Sequence, residues 1–480
     1  MAALAAVTTG ERVVGAGRAR TIDDLIVEEE RRFRARQPRS AACSQRAAGS
    51  LAGGATSSWQ IARPATVWLS HGAGSKVHDV DGGEYIDLHA GYGAMLAGHG
   101  HPAIVAAVSD RVALGTHFAQ PTEDAIVVAE LLRQRFGLPL WRFGNSGTEA
   151  TMDAVHLMRA VTGRDVIIKV EGSYHGHHDS VMVSYYNQLD ELGPRERPHS
   201  VLAGTGIPQA VADLVAVVPF NDLDVLAAVL DANRGRVAGM IMEPMMMNAG
   251  IVVPDRGYLE GVRRLTRDHG VLLTFDEVKT GLTIGPGGAT AMFGVQPDIV
   301  CLAKALGGGI PCGAIGGTAD VMEMVVDGSY QQVGTFNGNP LTMAAARAML
   351  TEVLTPDAYA HFELLGERMR TGALRALRRA RIPAYVRRFG AKGCIVFHPT
   401  PVRDYREFLA VHGELSHAHW LVQHNRGVFL PPWGKAEQWT LSVQHTTADV
   451  DRFVDNITTF AETLAHLDRW VSADAVALND

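Results

Sequence analysis

Four short, almost wholly apolar runs, Val166–Val170, Val237–Met242, Val271–Phe275 and Ile299–Leu302, are separated by stretches of helical periodicity. Runs this short and continuous are read as strands buried on both faces. Helices are expected at Ala103–Leu114, Glu123–Phe136, Glu149–Val161 and Tyr258–His269. Strands alternating with helices imply an α/β fold with a mostly parallel sheet covered on both sides. Ligands in such folds bind beyond the carboxyl ends of the strands. What each strand runs into is therefore where function is sought.

The chain has 480 residues and is 47% hydrophobic, enough for a large core and about two or three domains. Its net charge of -7 is spread out, with no basic block, which argues against nucleic-acid and membrane-surface partners. No apolar run approaches the roughly 20 residues of a membrane span. The N-terminus lacks the basic region of a signal peptide. The four cysteines, Cys43, Cys301, Cys312 and Cys394, show no CxxC spacing, as expected of a reduced, cytoplasmic protein.

Around the alternating region the organisation is less regular. Residues 1–20 read as a loose tail, and Thr21 caps a charged helix. Residues 38–65, rich in Ser, Ala, Gly and Pro, read as an irregular arm. Lys76–Asp87 reads as a hairpin turning at Asp81-Gly82-Gly83. A helical stretch from Pro340 leads into a smaller α+β region. The expected division is 1–100, an N-terminal arm and part of a small domain; 101–344, a large ligand-binding domain; and 345–480, a C-terminal small domain.

Two strand ends carry the sharpest chemistry. Ile299–Leu302 delivers Lys304 to a loop ending in Gly307-Gly308-Gly309, and Val271–Phe275 delivers Asp276. A lysine that forms a Schiff base and an aspartate that holds a pyridinium nitrogen are what pyridoxal phosphate needs from a protein. A buried carboxylate must be paired, so an arginine or a helix N-terminus is the ordinary alternative partner for Asp276. Phe143-Gly-Asn-Ser-Gly-Thr-Glu-Ala150 joins a strand to a helix, where Ser146, Gly147 and Thr148 could hold a phosphate or simply cap the helix. No Gly-Lys-[Ser/Thr] follows, so it is not a nucleotide P-loop.

In Glu171-Gly-Ser-Tyr-His-Gly-His-His-Asp179, Tyr174 could stack on a flat ring. The histidines lack HExxH spacing, so no metal is expected. In Met242-Glu-Pro-Met-Met-Met-Asn-Ala-Gly250, Asn248 could meet a phenolic oxygen, while the methionines suit the core. Thr335, in Gly334-Thr-Phe-Asn-Gly-Asn-Pro340, is a second phosphate candidate or part of an ordinary turn. His412, His417 and His419 are expected on a solvated helix face.

Taken together, Asn145-Ser-Gly-Thr-Glu-Ala, Tyr174-His-Gly, Glu243-Pro, Asp276-Glu-Val, Leu302-Ala-Lys304 and Gly334-Thr-Phe-Asn-Gly-Asn-Pro resemble class III pyridoxal-phosphate-dependent aminotransferases. The likeness runs from about residue 50 to 460, with Glu171-Gly-x-Tyr-His-Gly-His-His-Asp and Met-x-Asn-Ala-Gly resembling the glutamate-1-semialdehyde aminomutase-like subgroup. The resemblance implies fold type I, with a mostly parallel seven-stranded sheet in the large domain, and a homodimer with shared active sites. It implies Lys304 as the Schiff-base lysine, Asp276 as the partner of the ring nitrogen, and Tyr174 and Val278 on the two ring faces. It places Asn248 at the ring oxygen, and Ser146, Gly147 and Thr148 at the phosphate, joined by Thr335 of the partner subunit. Glu437 resembles an acidic residue near the substrate.

The departures concern the substrate. The arm Gly53-Gly-Ala-Thr-Ser-Ser-Trp-Gln-Ile61 carries Ser57 and Gln60 where relatives place an arginine, and Trp59 suggests an apolar wall. A neutral amide cannot replace a bidentate guanidinium–carboxylate contact. Lys279-Thr-Gly-Leu-Thr283 likewise replaces Met/Gln-Thr-Gly-Phe-Arg. The expected function is transfer of an amino group from an amine, ω- or β-amino acid to a keto acid or aldehyde. The alternatives are glutamate-1-semialdehyde 2,1-aminomutase or another pyridoxal phosphate enzyme such as an epimerase.

Overall fold

The computed structural model describes residues 21–432, 435, 436 and 438–467. Seven strands form the large sheet in the order Leu140–Gly144, Gly313–Gly317, Ile299–Ala303, Leu272–Asp276, Val237–Met242, Val166–Val170, Val215–Val218. The last five are parallel, and Gly313–Gly317 runs antiparallel to both of its neighbours. The four strands expected from apolar runs lie side by side at its centre. Gly313–Gly317 escaped that reading because Gly-Ala-Ile-Gly-Gly has no apolar run, yet tight packing demands its small residues. A Cβ on Gly313 would lie 2.3 Å from the Ser146 carbonyl oxygen, and one on Gly316 2.6 Å from the Trp141 ring.

The expected helices form at Pro102–Leu114, Glu123–Phe136, Gly147–Thr162 and Tyr258–Asp268. Thr21 caps Ile22–Arg36 in a reciprocal box with Asp24. The hairpin strands Lys76–Asp79 and Glu84–Asp87 pair as expected, joined by Leu69–Ala73 and Val428–Phe429 in a four-stranded sheet. A three-stranded sheet comprises Tyr385–Phe389, Lys392–Val396 and Trp439–Thr440. No helix among the described residues is long and apolar enough to cross a membrane.

Two expectations are corrected. The stretch 38–65 is not irregular throughout, since Pro38–Ala47 is a helix. Its first-turn N–H groups, on Arg39 and Ser40, donate to the Asp81 carboxylate of the hairpin turn at 2.6 and 2.9 Å. That cap is remote in sequence, so local composition cannot show it. His412, His417 and His419 do not share a solvated face. His412 caps the helix Gly413–Asn425, His417 is partly buried, and His419 is buried, its pKa pushed down to about 3 by loss of water.

The segment after Val166–Val170 is fastened to the C-terminal region by an ion pair. Arg406, on the short helix Tyr405–Phe408, donates to both Glu171 carboxylate oxygens at 2.7 and 2.8 Å and to the Gly193 carbonyl at 2.8 Å. Glu171 is buried, so removing its partner strands a charge. Arg406→Ala should therefore cost about 3 kcal/mol of stability, read as a lower urea midpoint, with Arg406→Lys intermediate. An unchanged midpoint would show that the pair does not fasten the segment.

Candidate active site

The carboxyl ends of the central strands open on a cavity of about 350 Å³, lined by Lys304, Asp276, Tyr174, Asn248, Val278 and the 145–148 turn. Its size falls within the range of small-molecule sites. Lys304 follows the strand Ile299–Ala303 directly and has φ +49°. A left-handed lysine is uncommon and marks a site where the fold holds the backbone against its preference. Among the described residues the Lys304 ammonium makes no hydrogen bond or ion pair. Burial first, and then the nearby Lys279 charge, lower its pKa to about 8 against the raising effect of Asp276 and Glu243.

Asp276 closes the neighbouring strand Leu272–Asp276. One carboxylate oxygen accepts the Val278 N–H at 3.0 Å, and the other is 2.8 Å from Nδ1 of His175. Neither an arginine nor a helix N-terminus takes this role. The sequence reading had set His175 aside with the metal-like histidines, although its place beside Tyr174 was the available signal. The other two histidines diverge, His177 being exposed and His178 lying 3.3 Å from the Thr151 hydroxyl. Nε2 of His175 is buried with no hydrogen-bond partner among the described residues.

Glu243, also overlooked as a site residue, ties together the other loops. Its carboxylate accepts from the Tyr174 N–H at 3.2 Å, the Met247 N–H at 2.9 Å and the Asn248 amide at 3.0 Å. Burial pushes its pKa above the usual range, and the same loss of water raises Tyr174 to about 12.

At the opposite wall Ser146 caps the helix Gly147–Thr162, its hydroxyl accepting the Glu149 N–H at 3.2 Å. The N–H groups of Gly147 and Thr148 donate to no group among the described residues, which leaves an anion site at a helix N-terminus. A Cβ on Gly147 would lie 3.0 Å from the Val278 methyls, and one on Gly176 2.8 Å from Thr148 Cα. The turn, the Val278 wall and the Tyr174 loop are thus packed backbone against side chain.

The remaining candidates divide. Trp59 lines this cavity and a second one of about 520 Å³. Its ring centroid lies 5.0 Å from Tyr174 and 5.5 Å from Tyr92. Gln60 lines only the second cavity, and its side-chain oxygen accepts from Thr56 N–H and hydroxyl at 3.2 and 2.6 Å. The Thr283 hydroxyl turns to the Lys279 carbonyl at 2.6 Å, so it faces backbone. Thr335 is exposed and lies outside the cavity of its own chain. Glu437 lies outside the described residues.

A flat ring with an aldehyde, a protonatable nitrogen and a phosphate fits this donor set. It would meet an unpaired lysine amine, a positioned carboxylate and free N–H groups at a helix end. The family described as Aminotransferase class-III matches residues 60–457. A glutamate-1-semialdehyde 2,1-aminomutase of Exiguobacterium sibiricum is 38% identical over 388 residues, covering 80% of this chain and 87% of that protein. The crystal structure of an omega-transaminase from Sphaerobacter thermophilus superposes with a TM-score of 0.85 at 34% identity, covering 89% of this chain and 99% of that one. A glutamate-1-semialdehyde-aminomutase from Pseudomonas aeruginosa PAO1, in complex with PMP, gives a TM-score of 0.84 at 31% identity, covering 93% and 98%. Site chemistry, sheet order and sequence agree: this chain belongs to the class III aminotransferases, enzymes of the fold type I architecture whose cofactor is pyridoxal phosphate.

Proposed function

We propose that the chain is an intermolecular aminotransferase, taking an amino group from an amine, ω- or β-amino acid and passing it to a separate keto acid or aldehyde. The observation that carries this is the placement of Lys304 and Asp276 in one cavity, with Trp59 of the arm on its wall and Gln60, in the adjoining cavity, where an arginine would be expected. Pyridoxal phosphate, when bound, would supply a conjugated ring that takes up the electron pair released when the C–H bond at the amine-bearing carbon breaks. Lys304 would hold the cofactor through its Nζ, and that Nζ, when free, would carry the proton away from the amine-bearing carbon. Asp276, its carboxylate fixed in place by His175 and the Val278 N–H, would keep the ring nitrogen protonated. Ser146, Gly147 and Thr148 would hold the phosphate, Asn248 the ring oxygen, and Tyr174 and Val278 the ring faces.

A second copy of the chain completes the site in this reading. Thr335 stands in an exposed apolar patch with Val333, 80% exposed, and Phe336, whose ring is 4.8 Å from His117. Leu114, 69% exposed, and Phe118 extend it. Contiguous exposed apolar surface marks an interaction face, and a two-fold contact there would bring Thr335 of the partner subunit to the phosphate.

The second reading, glutamate-1-semialdehyde 2,1-aminomutase, is favoured by the names of the relatives and requires no separate acceptor. The enzyme loaded with pyridoxamine phosphate separates the two. An intermolecular enzyme regains the spectrum of the lysine-bound cofactor with simple keto acids or aldehydes, whereas an aminomutase converts glutamate semialdehyde with no second substrate.

Three outcomes are expected. Lys304→Ala abolishes the visible absorption band of the lysine-bound cofactor, and a retained band would remove Lys304 from its role. Because Lys304 is neutral above its lowered pKa, cofactor capture by the apoenzyme should rise through pH of about 8 and level off above it. A midpoint near 10.5, the ordinary lysine value, would contradict the buried setting. Phe336→Asp should yield monomers by sedimentation that bind pyridoxal phosphate more weakly, and an intact dimer would place the interface elsewhere.

A further inference from the structure

Lys279 is a second lysine in the cofactor cavity, one turn residue beyond Val278. It is partly buried, and among the described residues its ammonium makes no hydrogen bond and no ion pair. Both acids of the cavity have other partners. Asp276 takes His175 and the Val278 N–H, and Glu243 takes Tyr174, Met247 and Asn248. No arginine among the described residues lines the cavity, and Gln60 on the arm is committed to Thr56. Once Lys304 is joined to the cofactor, Lys279 is the remaining cation of the described lining.

It shares the cavity with the helix N-terminus, where the free Gly147 and Thr148 N–H groups already offer the phosphate an anion site. Trp59 lines both this cavity and the neighbouring aromatic one, so Lys279 shares a cavity with the residue that borders the second space. A partly buried cation without an acid partner gains from an incoming carboxylate.

We infer that Lys279 is the carboxylate-binding group of this enzyme, so that its substrates are amino acids and keto acids rather than carboxylate-free amines. This rests on the aminotransferase reading and narrows it. The substrate amine meets Lys304 while its carboxylate meets Lys279, which supplies the positive charge that the arm lacks. Lysine serves here as a point charge, so it tolerates α- and β-carboxylates that a rigid guanidinium fork would discriminate.

The test uses wild-type, Lys279→Met and Lys279→Arg holoenzymes with substrate pairs differing only in a carboxylate: phenylalanine against 2-phenylethylamine, and 3-amino-3-phenylpropanoate against 1-phenylethylamine. Two measurements accompany the kinetics, calorimetric binding of the unreactive 3-phenylpropanoate and the dissociation constant of pyridoxal phosphate. Lys279→Met should lower the ratio of kcat/KM, carboxylate over carboxylate-free, by at least about tenfold through KM. It should weaken 3-phenylpropanoate by a similar factor and leave cofactor affinity within about twofold, and Lys279→Arg should recover much of the loss. An unchanged ratio with unchanged 3-phenylpropanoate binding overturns the inference. So does an equal loss for both members of a pair together with weakened cofactor binding, which would put Lys279 on the phosphate. Should wild-type holoenzyme process neither member of any pair, the aminotransferase reading fails, and calorimetry of 3-phenylpropanoate still decides the role of Lys279.

Discussion

The site depends on one buried carboxylate. Asp276 sits at the end of a central strand, with His175 on one oxygen and the Val278 N–H on the other. A carboxylate removed from water must be fully partnered or it destabilises the fold. Here the partners leave a fixed direction toward the cavity. The Tyr174 loop is drawn to the same place because His175 follows Tyr174, and the Val278 wall because its N–H is one of the donors. Glu243 repeats the device one strand over, gathering Tyr174, Met247 and Asn248. Two buried acids therefore convert the ends of adjacent parallel strands into one preorganised surface.

Close packing supplies the rest of the precision. Gly147 lies against Val278, Gly176 against Thr148, and Gly313 against the Ser146 carbonyl, with no room for a methyl group. The 145–148 turn is thereby held between an antiparallel strand and the Tyr174 and Val278 loops. Lys304 pays for its placement with a left-handed backbone directly after its strand. The combination of a rigid anion end and a strained lysine end suits a site that must hold one ring in one orientation.

Much of this was legible in the sequence, and the reasons are specific. Central strands such as Val237–Met242 are apolar on both faces, and a lone lysine or aspartate at their ends stands out against that background. The strand Gly313–Gly317 was illegible because its residues are chosen by clearance from Trp141 and Ser146, a tertiary demand with no periodic signature. His175 was hidden in a cluster of three histidines without metal-ligand spacing, whereas the fold turns His175 to Asp276 and His178 to Thr151 and leaves His177 exposed. The helix Pro38–Ala47 was hidden because its cap, Asp81, comes from a distant turn. Thr335 was legible only as a motif, since its own chain leaves it outside the cavity.

In the proposed function Asp276, His175 and Lys304 serve the cofactor, while Lys279, Trp59 and the arm serve substrate choice. The central claim is that Asp276 keeps the ring nitrogen protonated. The direct measurement is the nitrogen-15 chemical shift of holoenzyme reconstituted with cofactor labelled at that nitrogen. A pyridinium shift at neutral pH in the wild type, moving toward that of free pyridine in Asp276→Asn, is the predicted result. A free-pyridine shift in the wild type would contradict it.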